Sequence, residues 1–484
     1  MIRHLERLTR HSALYGLSDV LGRSLTFLLV PLYTHVMTTE AYGHVALIYG
    51  FIALMNVVFT FGMDAAFLRF YMLEETHRRQ ILSTALLTMT GVSFALAGGV
   101  AVAAPLIDHI ISPSASLASY IRMAAVVLAL DAISAVPFAR LRGEGRAALF
   151  AALKLVRVAL ELAGNYWLVV LMGKGLEGIL ITNIAGSGLT VVALAFITLP
   201  ALSLDWNRSR LYSLLKFGIP YIPAGACVIF IEMLDRFILE RLTDTRTVGI
   251  YSAAHKLGVG MLIFVNMFRQ AWQPFFLETS KNEDARPLFA RILTYFLLIA
   301  STLGLSLSLL IDWLVRIPVK GITFFSSAYW EGIGVVPFFA LAYILYGLYV
   351  NLTVGVYLKN KTAVLPIITG AAALTSVGAN LWLIPIWGIY GAGLASVLAY
   401  GVMAGGLYIT GRRHYPIPYE YGRIAQMALI CGGLFTVGWL GTAPDAWAAR
   451  LGLITAYPVL LALTGFFNTQ EKQYVKRRLR LLLR

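Results

Sequence analysis

Asn165-Tyr166-Trp167-Leu168, followed by Gly173 and Gly178, returns in this chain as Asn380-Leu381-Trp382-Leu383, followed by Gly388 and Gly393, at a constant offset of 215 residues. The same offset sets Arg146 against Lys361, each at the head of a long apolar run. Glycine permits a tight turn between two helices and a close approach of their backbones, so the shared glycines read as one helix pair used twice. Spans five and six correspond to spans eleven and twelve. An even number of intervening spans gives both copies the same orientation in a membrane. Two six-helix bundles related by an axis along the membrane normal follow, with a cavity at their interface near the midplane.

The membrane itself is read from composition. Apolar residues make up 59% of the 484 residues and charged residues only 13%, which places the chain outside the soluble class. Runs of ~20 apolar residues, the length that crosses the hydrocarbon core, recur from Leu14 to Phe467. About fourteen spans are expected. They run Ser12 to Val36, Tyr42 to Met63, Ile81 to Ile107, Leu117 to Phe138, Ala147 to Met172, Leu176 to Leu199, Leu214 to Leu239, Gly249 to Arg269, Leu288 to Ile311, Gly332 to Leu358, Ala363 to Trp387, Tyr390 to Ile409, Ile424 to Leu440 and Trp447 to Phe467. The fold class is an all-α polytopic membrane protein. Its expected division is a six-helix bundle over 1–200, a second over 201–410, and two extra helices with a basic tail over 411–484. The first apolar stretch holds Asp19 and Arg23 and has no cleavage-site pattern, so it reads as a span and not a signal peptide.

With both termini placed on the cytoplasmic side, the cytoplasmic segments collect 26 Lys and Arg residues, against Lys174, Arg241, Arg246, Arg316 and Lys320 opposite. This is the positive-inside bias, and it explains most of the net charge of +15. The tail from Lys472 reads first as a topology anchor, with anionic lipid or nucleic acid as the alternative contact. Cys227 and Cys431 both sit in apolar runs, too few for a disulfide framework or a thiolate metal site.

A charge near the middle of a spanning helix costs ~2.5–3.5 kcal/mol on insertion scales, so such residues mark a polar interior. Asp19 and Arg23 stand four apart on the first span and can pair. On the fifth span Lys154, Arg157, Glu161 and Asn165 form one polar stripe with a cationic excess. The seventh carries Glu232, Asp235 and Arg236; the eighth carries Tyr251, His255 and Lys256 and ends near Asn266, Arg269 and Gln270. Asp131, on the fourth, has no partner of opposite charge in its own helix. Excess cations in a polar cavity suit an anionic substrate, since Arg grips phosphate oxygens with a bidentate fork and Lys acts as a point charge. Arg23, Lys154, Arg157, Arg236, Lys256 and Arg269 are therefore the candidate substrate contacts. Asp19, Asp131, Glu161 and Asp235 are the candidates for a coupling H⁺ or Na⁺. The competing reading is interhelical ion pairing, which fits the Glu232, Asp235 and Arg236 group as well as function does.

Gly173-Lys174-Gly175 with Gly178 matches a dinucleotide fingerprint in letter only, because it joins two spans and follows no strand. Asn207 and Asn360 head glycosylation-type triplets, but on segments expected in the cytoplasm. No catalytic triad or metal-ligand spacing is apparent, and neither an enzyme nor a cofactor is expected.

Several short motifs resemble the polysaccharide, O-antigen type flippases of the multidrug/oligosaccharidyl-lipid/polysaccharide exporter superfamily. They are Pro31-Leu-Tyr33-Thr34 with Tyr42-Gly43, Gly62-Met-Asp64 with Arg69-Phe-Tyr71, Lys216-Phe-Gly218-Ile-Pro220, Asp235-Arg236-Phe237, Gly249-Ile-Tyr251 through His255-Lys256-Leu257, Trp272-Gln-Pro274-Phe275, and the Asn380, Trp382, Pro385, Gly388, Gly391 series. The resemblance implies two bundles around a cationic lumen and alternating access that moves a polyprenyl-diphosphate-linked oligosaccharide between leaflets of the cell membrane. It implies a diphosphate contact for Arg23 and, for the last two helices, a groove for the lipid tail. Membrane lipid, glycosyltransferases and a polysaccharide polymerase are the implied partners, and no nucleic acid is expected. The competing function is a cation-coupled multidrug antiporter, which would rely on the carboxylates; a non-transporting scaffold would leave every buried charge paired.

Overall fold

The computed structural model describes residues 29–112, 116–203, 205–219, 221–280, 285–319, 322–359, 361, 363–443 and 446–467. Most of the first expected span, with Asp19 and Arg23, and the basic tail lie outside them. The chain is an all-α polytopic membrane protein. The helices are α1 (residues 29–36), α2 (Thr39–Thr60), α3 (Met63–Leu73), α4 (Arg78–Ile111), α5 (Ala118–Gly143), α6 (Ala147–Asn165), α7 (Gly175–Thr198), α8 (Arg208–Gly218) and α9 (Tyr221–Leu242). There follow α10 (Thr245–Thr279), α11 (Ala285–Arg316), α12 (Val336–Leu352), α13 (Val354–Leu358), α14 (Val364–Trp387), α15 (Ile389–His414), α16 (Tyr421–Gly441) and α17 (Trp447–Leu463). A two-residue antiparallel pairing, Pro318–Val319 with Ile322–Thr323, joins α11 to the helical turn Ser327–Val335.

Among the described residues ten helices are long and apolar enough to cross a membrane. Neither α6 nor α9 is among them, although each has 19 residues or more. These two carry the charge-rich stretches Lys154 to Glu161 and Glu232 to Arg241. Lys154, Arg157 and Glu161 sit on α6 and Asp235 and Arg236 on α9, whereas Asp131 on α5 and Lys256 and Arg269 on α10 sit on helices that meet the hydropathy rule. Large apolar side chains lie open on the outer faces, Phe196 at 77%, Leu374 at 76% and Leu429 at 76% exposure. A soluble monomer rarely exposes so many, and lipid is the solvent that suits them.

The described chain forms two compact units. The first comprises Met1–Lys256, Phe325–Gly332 and Leu365–Ala399, and in it α5 packs against α4, α7, α3 and α2 while α2 also packs against α9. Its connections sort to two ends. Glu74 pairs with Arg210, Gln80 donates to Asp205 at 2.8 Å, and Tyr71 donates to Glu144 at 2.9 Å. At the other end Ser112 and Thr245 both donate to Glu240, and Arg241 donates to the carbonyls of His109 and Ile110. The loops expected on the basic side thus meet one another, and those expected opposite do the same.

The motif glycines are contact points. Gly62 takes a left-handed φ of 69° at the break between α2 and α3, and a side chain on it would run into the backbone of Gly218. Likewise Gly249 lies on the Thr39 carbonyl and Gly43 on that of Thr245, so α2 and α10 cross with backbones touching. The duplication is visible as geometry: Gly173 and Gly388 share a left-handed φ (67° and 54°), Asn165 and Asn380 are buried, and Trp167 and Trp382 are exposed at 65% and 70%. The halves 1–200 and 201–410 group residues by that repeat, whereas the compact units group them by contact.

The second unit comprises Leu257–Phe324, Ile333–Val364 and Tyr400–Arg484. Trp272 stacks on Phe268 at 5.4 Å and meets Phe276 and Phe289 edge-on. The α16–α17 hairpin is fastened to α11 by Arg450, which donates to the Leu309 carbonyl at 2.9 Å and to Thr442 Oγ1 at 3.0 Å, and by Tyr457 with Ser301 at 2.8 Å.

Candidate functional site

Inside the first unit, three helices bring four polar side chains together. Arg157 on α6 turns its terminal fork toward Asp131 on α5, Nη1 to Oδ1 at 2.7 Å and Nη2 to Oδ2 at 3.3 Å. Its Nε donates to Glu161, one turn along α6, at 2.7 Å. Ser187 on α7 donates to Asp131 Oδ1 at 2.7 Å. Beside them Asn183, also on α7, donates to the Tyr49 hydroxyl of α2 at 2.6 Å. Gly186 lets Glu161 lie flat against α7, since a Cβ there would sit 3.2 Å from Glu161 Cγ.

The charge count is the chemical point. One guanidinium is shared by two carboxylates, a formal balance of −1. The group is not sealed: the side chains of Arg157, Asp131 and Glu161 are 21%, 29% and 21% exposed. An ion pair of this kind in a low-dielectric surrounding is stable only with its hydrogen bonds complete, and Ser187 supplies the remaining one on Asp131.

This arrangement changes the expected picture of the α6 stripe. Asp131, unexplained within its own helix, is the partner of Arg157, so Glu161 is not alone in balancing the stripe's cations. Lys154 diverges from Arg157 and places its ammonium 5.3 Å from the Phe138 ring centre and 5.7 Å from that of Phe150. Both rings belong to the apolar cluster completed by Leu141 and Leu194.

The remaining candidates are not gathered into the same place. Asp235 and Arg236 on α9 pair at 2.9 Å, Arg236 also donates to the Glu232 carbonyl at 2.5 Å, and Tyr251 on α10 donates to Asp235. These side chains are almost wholly buried, Asp235 at 2%, Arg236 at 4% and Tyr251 at 0%. Lys256 is exposed on α10. Arg269, in the second unit, donates to the Tyr346 hydroxyl at 2.8 Å, beside Tyr349 and Tyr400. Ser187, Asn183 and Tyr49 were not picked out from sequence. The signal for the first two was present, since a four-residue spacing puts Asn183 and Ser187 on one face of α7.

Residues 34–319 match the family model described as "Polysaccharide biosynthesis protein". The chain belongs to that family. A search of curated proteins finds no match. Among solved structures, "Lipid II flippase MurJ, inward closed conformation" superposes with a TM-score of 0.75 over 93% of this chain and 98% of that one, at 13% identity. A multidrug resistance MATE family transporter of the MOP superfamily, inward-facing, gives 0.63 over 83% and 94%, at 14% identity. A Vibrio cholerae MATE transporter gives 0.55 over 84% and 96%, at 14% identity. At such identities these likenesses establish the fold.

Proposed function

We propose that the protein flips a polyprenyl-diphosphate-linked oligosaccharide, a surface-polysaccharide precursor of the O-antigen type, across the cytoplasmic membrane by alternating access. Both termini lie in the cytoplasm in this reading. Family membership supplies the pathway, and the fold shared with a lipid II flippase supplies the precedent for a lipid-linked cargo. The observation that carries the reading is Arg157, a guanidinium inside the helical unit, with its fork on Asp131 and about a fifth of its side chain exposed. Such a fork is the protein group best matched to a diphosphate. Arg23, expected on the first span, is the second anion contact. Lys154, Lys256 and Arg269 are secondary anion contacts in this reading. Arg236 reads as a packing residue, because its charge is already spent within α9.

The test is export. Replacing Arg157 with Ala removes a charge-assisted bidentate contact, which is worth enough to lower glycan export by about tenfold or more, while the protein still accumulates in the membrane. Arg23→Ala is expected to behave alike. Normal export from both variants would sink the reading.

The carboxylate excess at Asp131 and Glu161 favours a second reading, cation-coupled export of organic cations. Protection of a susceptible host from cationic dyes, abolished by Asp131→Asn, would decide for it.

A further inference from the structure

We propose that Asp131 and the anionic substrate compete for the Arg157 fork, so that the site binds the diphosphate together with a proton. The inference rests on the flippase reading and adds its regulation. In the structure the fork is occupied: both terminal nitrogens face the two oxygens of Asp131, and Nε is taken by Glu161. A diphosphate cannot use the fork while Asp131 holds it as an anion, and two anions on one guanidinium already leave the group at −1. Bringing a further multiply charged anion against that balance is unfavourable in a low-dielectric site. Adding a proton to a carboxylate oxygen of Asp131 removes both obstacles. The carboxyl can then donate to Ser187, whose hydroxyl stands 2.7 Å away, in place of accepting from it. A pair of phosphate oxygens takes the vacated fork, and the loaded site carries one proton more than the empty one.

The groups facing Asp131 allow this assignment. From α6 come Arg157 and Glu161; from α7, Ser187 with Asn183 nearby; from α2, the Tyr49 phenol lies in electrostatic reach of Asp131 and Glu161, and from α1 the Tyr33 phenol in reach of Glu161. Lys154, the other cation of the α6 stripe, has its ammonium over the Phe138 and Phe150 rings. Glu161 keeps Nε in either state, which holds the guanidinium in register while its fork changes partner.

Calorimetry on the full-length protein in lipid nanodiscs, with farnesyl diphosphate as probe, tests this. Titrations between pH 6.5 and 8 in buffers of different ionisation enthalpy count the protons taken up. Wild type is expected to take up about one proton more per bound probe than Asp131→Asn, and to lose affinity by up to about tenfold per pH unit relative to that variant. The comparison cancels the titration of the probe itself. Ser187→Ala provides a second variant with both charges intact: the Ser187 bond is charge-assisted with the Asp131 anion and neutral with the acid, so its loss disfavours the anion more and binding at pH 8 tightens several-fold; weaker binding at pH 8 would overturn the inference. Equal proton uptake and equal pH slopes in wild type and Asp131→Asn overturn the inference and leave the flippase reading standing. No binding of the probe by any form overturns both.

Discussion

Two acid–arginine groups in the first unit look alike in sequence and differ in what surrounds them. Asp235 and Arg236 are adjacent on α9 and enclosed, with Tyr251 closing the carboxylate from α10. Removing one member of an enclosed pair leaves an uncompensated charge, at a cost of about 3–5 kcal/mol. Asp235→Ala is therefore expected to reduce accumulation and to lower the thermal midpoint of purified protein by several degrees. Asp131→Asn keeps the shape, sits in a group with measurable exposure, and is expected to accumulate normally. If Asp235→Ala melted like wild type, the enclosed group would have no structural role to explain it. Burial separates the two groups here, while residue type does not.

At the scale of elements, close crossings set which helices meet. The contact of α2 with α10 brings Gly43 and Gly249 onto opposing backbones, with no space for a Cβ. Gly249→Val would force the crossing apart at a cost of about 1–3 kcal/mol or more, so a lowered melting temperature is expected, whereas Gly260→Ala, where a Cβ meets open space, is expected to melt within a degree or so of wild type. Comparable melting of the two variants would show that the crossing is not constrained. The motif glycines were visible in sequence as motifs. What each one touches was not, because a glycine's role depends on a partner backbone elsewhere in the chain, such as Gly218 for Gly62.

At the scale of the molecule, the loops at Glu74 and Arg210 meet at one end and those at Ser112 and Arg241 at the other. The proposed topology, drawn from the positive-inside bias, has the first end in the cytoplasm. In a background with Cys227 and Cys431 replaced by Ala, Lys174→Cys is expected to react with an impermeant thiol reagent on intact cells, and Arg146→Cys only after permeabilisation. The reverse pattern would invert the topology.

By itself, the sequence determined the all-α membrane class and the repeated Asn, Trp and Gly pattern, because hydropathy and repeats are local or additive along the chain; of the fourteen spans it led us to expect, ten are long and apolar enough to cross a membrane among the described residues. It also pointed to Arg157 and Glu161, since pairs four apart on one helix face follow from helical geometry. Only the tertiary structure decided that Asp131 faces Arg157 with Ser187 beside it, that Lys154 turns to two phenylalanine rings, and that Asp235 and Arg236 are enclosed. Those outcomes depend on how α5, α6 and α7 are rotated and packed against one another, and no periodicity within a single helix carries that information.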